Sequence, residues 1–422
     1  MPRSIYKKPF SHLVPLLAYF RGFILRSIYH IFPIYEKSSS LILYLTIFHN
    51  TFFSQVTVSH NNYITTTMSP TTNGHYTPRD PTLLSNGHSN GYSSALLHAH
   101  TDLDSGAYTH RPLVPGVYVP TVCFFNDITE DLDISTIKKH AVRMAEAGVA
   151  GITTQGSNGE AVSLSHRERR LVTTATREAL EAAGYHDMPI IVGCGAQSTR
   201  ETLELCHDAL LSGGDYVLVL PPAYYKGLMS NTDLYEYFRD VADESPLPVL
   251  IYNFPGAASG LDLDSDFISK LAQHPNIVGC KLTCGNSGKL ARVATAANAA
   301  TPSDIGSGFM AMGGSADFTL QTLIVGGSGV IAGLANIAPK ACVAIVNYYA
   351  QGKIKEAKRI QARVAQGDWA AIQGGLVGTK SCLQTFFGYG GYARKPLPRP
   401  TSEEAIKWER AFQDVVDLER TL

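Results

Sequence analysis

Two reactive side chains close two short apolar runs in this sequence. Tyr252 follows Val249-Leu250-Ile251, and Lys281 follows Ile277-Val278-Gly279-Cys280. A helical stretch, about 264–273, separates them, so the segment reads as strand, helix, strand with one polar group at the carboxyl end of each strand. Parallel strands covered on both faces read as continuous apolar runs, and ligands gather at the carboxyl ends of such strands. No acidic residue lies within ten positions of Lys281 on either side. Removing a lysine from water favours its neutral amine, which is nucleophilic. The competing reading is a lysine that lifts its head group to solvent from a strand end.

Other strand ends offer matching chemistry. The run Gln155-Gly156-Ser157-Asn158-Gly159-Glu160 turns tightly at its glycines and presents backbone N–H groups at a helix start, which suits a carboxylate. Ser157 adds a hydroxyl there. Further on stand Tyr224 and Tyr225, Thr283 two residues past Lys281, and Gly306-Ser307-Gly308. An amine, a phenol, hydroxyls and an anion-binding turn together suit imine chemistry on a 2-oxo acid. Each part has a plainer reading: a structural turn, a core tyrosine, or a phosphate cradle built from 306–308 with Gly313 and Gly314.

The elements that would position these groups follow in series. Strands are predicted at 117–120, 151–154, 189–193, 216–220, 248–252, 277–281, 304–307 and 329–332. Helices are predicted at 135–147, 165–183, 199–212, 231–243, 265–273, 287–299, 311–325 and 339–350. Eight strand–helix units in roughly 235 residues fit a closed (β/α)8 TIM barrel, an α/β fold, better than a doubly wound open sheet. Three more helices, near 353–366, 370–386 and 402–421, are expected to pack outside it. The predicted organisation is a leader over 1–110, a barrel over 111–350 and a C-terminal helical extension over 351–422.

The 422 residues are 45% hydrophobic with a net charge of −1, which supports a sizeable core and argues against a nucleic-acid partner. Seven scattered cysteines suit unpaired thiols in a reducing compartment, and no metal-ligand spacing is present. The first 79 residues hold one acid, Glu36, and the apolar cluster at 41–54 is too interrupted to span a membrane. A mitochondrial presequence and a start at Met68 are the two readings of that leader; a cytoplasmic location follows from the second. Residues 68–110 are rich in Ser, Thr, Asn, Gly, His and Pro, the composition of a disordered tail.

GSNGE at 156–160, YNFPG at 252–256 and the lysine of IVGCKLT, in that order, resemble the dihydrodipicolinate synthase/N-acetylneuraminate lyase family of class I aldolases. The resemblance covers about 115–390. It implies a (β/α)8 barrel, usually in a homotetramer, with Lys281 as the Schiff-base lysine and Tyr252 as the proton-relay phenol. Ser157 and Asn158 stand where the family binds the carboxylate of pyruvate, Asn158 replacing a more usual Thr. Thr283, Gly308 and Ile331 complete the expected substrate-binding set. Tyr224 falls where an interface tyrosine enters a neighbouring subunit's site, with Tyr225 as its alternative. QGSNGE, YYKGLMS, SGLDL and HPNIVGCK resemble 4-hydroxy-2-oxoglutarate aldolases within the family. Ala257 occupies the place of an Arg usual in dihydrodipicolinate synthases, which also leaves a 2-keto-3-deoxy sugar-acid aldolase open. The resemblance implies an oxo acid and an aldehyde as ligands and no cofactor or metal. The alternatives of another class are a phosphate-binding barrel and a non-catalytic one.

The leader lacks the patterning of a barrel element, so a chain that starts near Thr109 is predicted to be soluble and active. Insolubility of that shortened chain beside a soluble full chain would contradict this.

Overall fold

The computed structural model describes residues 111–422, and the predicted leader lies outside the described residues. Eight strands close into a barrel in sequence order: β1 (Gly116–Pro120), β2 (Gly151–Thr154), β3 (Ile190–Gly193), β4 (Tyr216–Val219), β5 (Val249–Asn253), β6 (Ile277–Leu282), β7 (Met310–Gly313) and β8 (Gly329–Ile331). All neighbours run parallel, and β1 pairs with β8, which removes the open-sheet alternative. Between the strands run α1 (Ile134–Glu146), α2 (His166–Ala182), α3 (Thr199–Leu211), α4 (Asn231–Glu244), α5 (Ser265–Leu271), α6 (Ser287–Ala296) and α7 (Thr319–Ile324), and α8 (Pro339–Ala350) follows β8.

Alternate strand residues point into the barrel and pack on one another: Tyr118, Ile191, Leu218, Leu250, Tyr252, Met310, Met312 and Ile331. The other faces form a second apolar layer against the helices. Most barrel helices start at a short polar side chain that accepts a backbone N–H: Asp133, Ser165, Ser198, Ser230, Asp264 and Asn286. Such caps satisfy N–H groups the helix cannot bond itself. They end each βα loop at a defined place, which is what holds the site-bearing loops in register.

The seventh unit differs from its prediction. Residues 304–307 are not a strand; Asp304 forms an isolated bridge with Thr301, and a turn over 305–308 follows. The strand is Met310–Gly313, overlapping the start of the stretch predicted as helix 311–325, and only a single 3-10 turn and α7 remain helical there. Met and Ala are good helix formers, and a four-residue apolar run carries no period that marks it as a strand.

The C-terminal extension has two elements, the first of them two helices joined across a kink, so the three expected helices are present with the break in another place. The first, α9 (Ile354–Phe387), runs through the predicted gap at 367–369 and breaks its backbone at Gly375, where φ is +54°. The second is α10 (Ser402–Thr421). They pack on each other and on α8, with Phe412 and Val416 fully buried. Close approach requires glycine at 367, where a Cβ would stand 2.6 Å from the Val415 side chain. From α9, the buried Asp368 carboxylate reaches the loop after β7, accepting from Ser315 Oγ and from the Asp317 N–H at 3.0 Å.

Burial pushes the Asp368 carboxyl up to about 6, against these hydrogen bonds and with the Asp317 carboxylate adding repulsion. A group raised in the folded state supports stability below its ordinary titration range and withdraws that support as pH rises through its folded value. Asp368→Asn stays neutral and can still accept both bonds. Its stability relative to the native chain is predicted to improve between pH 4 and 7 by about 3 kcal/mol at most. Denaturant unfolding at the two pH values measures this, and a gap independent of pH would contradict it.

Candidate active site

Tyr252 and Lys281 are register partners on the adjacent strands β5 and β6, so both side chains point into the barrel at its carboxyl end. The Lys281 amine donates to the Tyr252 hydroxyl at 3.2 Å and lies 4.3 Å from the centre of its ring. Both are buried, Lys281 at 3% exposure. Phe254 stacks on Tyr252, with ring centres 5.8 Å apart, and fixes the phenol's orientation. Three lysines are buried among the described residues. Lys289 pairs with Asp262, and Lys380 pairs with Glu160. No carboxylate pairs with Lys281 among the described residues.

Above the pair opens a cavity of about 710 Å³. Ser157 and Asn158 line one side, Thr283 and Gly314 another. Gln155 and Glu160, at the ends of the 155–160 turn, both take positive φ, 49° and 52°. Such backbone is strained for non-glycine residues and persists where side-chain bonds determine it. Gln155 is held by Thr173 Oγ1 and the Arg169 carbonyl, and Glu160 by Lys380 Nζ and the Arg394 N–H. Gly314 has to be glycine, because a Cβ would fall 2.0 Å from Thr283 Oγ1. Thr283 Oγ1 and Asp317 Oδ1 are shielded from solvent without a protein partner, leaving hydrogen-bonding capacity for a bound polar molecule.

Lys281, Tyr252, Ser157, Asn158 and Thr283 thus meet at one cavity. Ile331 lies in the packed barrel interior. Gly308 does not join the site: it precedes β7 and sits at the amino end of the barrel, while Gly313 and Gly314 sit at the carboxyl end. The same separation removes the phosphate cradle predicted from those two glycine pairs. Tyr224 is 78% exposed and stacks edge-on against Tyr225, away from Lys281 within the single chain. Ala257 lines a smaller cavity that also touches Tyr252 and presents only a methyl group there, while Arg169 lines the same cavity.

The far wall was not anticipated. Ser315, Asp317 and Gln321 line the cavity from the stretch after β7, and Asp368 and Thr379 from α9. Misplacing β7 hid the first group, since Ser315-Ala316-Asp317 directly follows the true strand end. The second belongs to an element with no barrel strand before it, and no sequence signal assigns it to the site.

The chain's residues 114–414 match the dihydrodipicolinate synthetase family. A relative from Emericella nidulans named "Probable 4-hydroxy-2-oxoglutarate aldolase, mitochondrial" is 58% identical, covering 74% of this chain and 98% of its own. The "L-threo-3-deoxy-hexylosonate aldolase" of Hypocrea jecorina is 50% identical over 74% of this chain and 99% of its own. A solved structure of a dihydrodipicolinate synthase family protein from Coccidioides immitis superposes with a TM-score of 0.66 at 34% identity, covering 74% of this chain and 99% of that one. The barrel, the order of its motifs and these matches agree: the chain belongs to the dihydrodipicolinate synthetase family.

Proposed function

We propose that this protein is a class I aldolase that cleaves a 4-hydroxy-2-oxo acid to pyruvate and an aldehyde, with 4-hydroxy-2-oxoglutarate as the substrate and glyoxylate as the aldehyde. The carrying observation is a buried amine without a carboxylate partner, 3.2 Å from a buried phenol, on the floor of a cavity edged by the Ser157–Asn158 turn. The Lys281 amine attacks the C2 ketone, and the Tyr252 phenol gives its proton to the departing hydroxyl, so that water leaves behind a protonated imine and a phenolate. Tyr252 takes the proton of the C4 hydroxyl as the C3–C4 bond breaks. The bond's electron pair flows into the imine, giving an enamine and releasing the aldehyde. Protonation of the enamine at C3 and hydrolysis of the imine return pyruvate and the free amine. The N–H groups and hydroxyl at Ser157 hold the substrate's carboxylate beside the imine carbon.

The methyl group at Ala257 and the Hypocrea relative's name favour a second reading of the aldehyde, the polyhydroxylated fragment of a 2-keto-3-deoxy sugar acid. The exposed Tyr224 and Tyr225 suit a homotetramer in which one of them reaches a neighbouring copy's cavity. The mitochondrial label of the Emericella relative supports reading the acid-poor leader as a presequence over a cytoplasmic location.

Lys281→Arg stays protonated and cannot form the imine, and Lys281→Met keeps apolar length. Both are predicted to fold and to lose aldol cleavage in a pyruvate-release assay; turnover in a folded Lys281→Met chain would overturn the mechanism. Tyr252→Phe keeps the ring and its stack on Phe254 and is predicted to slow cleavage by on the order of 10²–10⁴.

Compared by kcat/KM, 4-hydroxy-2-oxoglutarate is predicted to exceed a 2-keto-3-deoxy-hexonate, and the reverse order selects the second reading. Condensation of pyruvate with aspartate semialdehyde is predicted to be poor, because no charge stands at 257; efficient synthesis there would contradict the choice of aldol cleavage.

A further inference from the structure

The turn that faces Lys281 is not held by the barrel alone. Glu160 closes it, in a left-handed conformation that an unsupported glutamate rarely adopts. Its side chain points away from the cavity and is fully buried. Oε1 accepts from Lys380 Nζ of α9 at 3.1 Å, and Oε2 from the Arg394 N–H of the segment after α9 at 2.9 Å. Lys380 also donates to the Tyr392 carbonyl at 2.6 Å, and both its ammonium and the Arg394 guanidinium lie over the Phe125 ring. The pair is 220 residues apart in sequence and excluded from water on both sides, at 1% and 0% side-chain exposure. An ion pair buried this completely adds little net stability compared with apolar packing. A fixed, directional bond at one strained backbone position is what it does supply.

We propose that the Glu160–Lys380 pair is a positioning device through which the C-terminal extension sets the Ser157–Asn158 turn for carboxylate binding. Neither residue touches the substrate; they act through the backbone of the turn. The proposal rests on the imine reading above only in taking pyruvate as the ligand of that turn.

The test is the pyruvate concentration that half-saturates borohydride trapping, measured on the full chain beside thermal stability. The variants are Lys380→Met, Glu160→Gln and the two combined, with Val364→Ala, fully buried in the first half of the same helix, as a control for general destabilisation. Each single variant leaves one buried charge unpaired and is expected to lose stability. The combined variant removes both charges and is expected to regain stability while its half-saturating pyruvate stays about ten-fold or more above the native value, because the turn is no longer held in place. Val364→Ala is expected to lower stability without moving that concentration. The proposal is overturned if affinity for pyruvate returns together with stability in the combined variant, if no variant shifts the half-saturating concentration, or if Val364→Ala shifts it equally. Absence of any trapped adduct in the native chain would instead defeat the imine reading, a separate result.

Discussion

The pairing of Tyr252 with Lys281 across β5 and β6 is the constraint on which the rest of the structure depends. Successive strand residues point to opposite faces, so a one-residue slip between these strands would turn one of the two out of the barrel. Lys281 is also the buried lysine without a carboxylate, where Lys289 and Lys380 each have one. Its amine lies against Tyr252 alone, close to both the ring and the hydroxyl, in an apolar barrel interior.

Above that pair the cavity is lined by groups that are themselves held in place. The turn at 155–160 stores strain at both of its ends, and each end is over-determined by side chains from behind the site. Thr283 and Gly314 meet so closely that glycine alone fits. On the far side, Asp368 ties α9 to the loop after β7. The C-terminal extension therefore lines the cavity at its far wall and bonds the turn from behind, so it belongs to the site as well as to the packing.

Much of this was legible in the sequence, for a physical reason. Lys281 and Tyr252 end continuous apolar runs, and such runs with one polar residue at the carboxyl end are a strong barrel signal. The 156–160 turn carries two glycines and a hydroxyl, again a local signature. The errors fell where local signal is weak. Met310–Gly313 has helix-forming residues and is too short to show a period, so β7 was placed six residues early and Gly308 was assigned to the wrong end of the barrel. The break of α9 at Gly375 and the reach of Lys380 to Glu160 depend on tertiary packing, and spacing along the chain does not encode them.

Peptide mapping after borohydride reduction of the native protein with pyruvate tests the central claim most directly. The amine of Lys281, lying beside Tyr252 and free of any carboxylate, predicts a single pyruvate-derived mass on the peptide that contains Lys281. An adduct on Lys289 or Lys226, or no adduct at all, would contradict it.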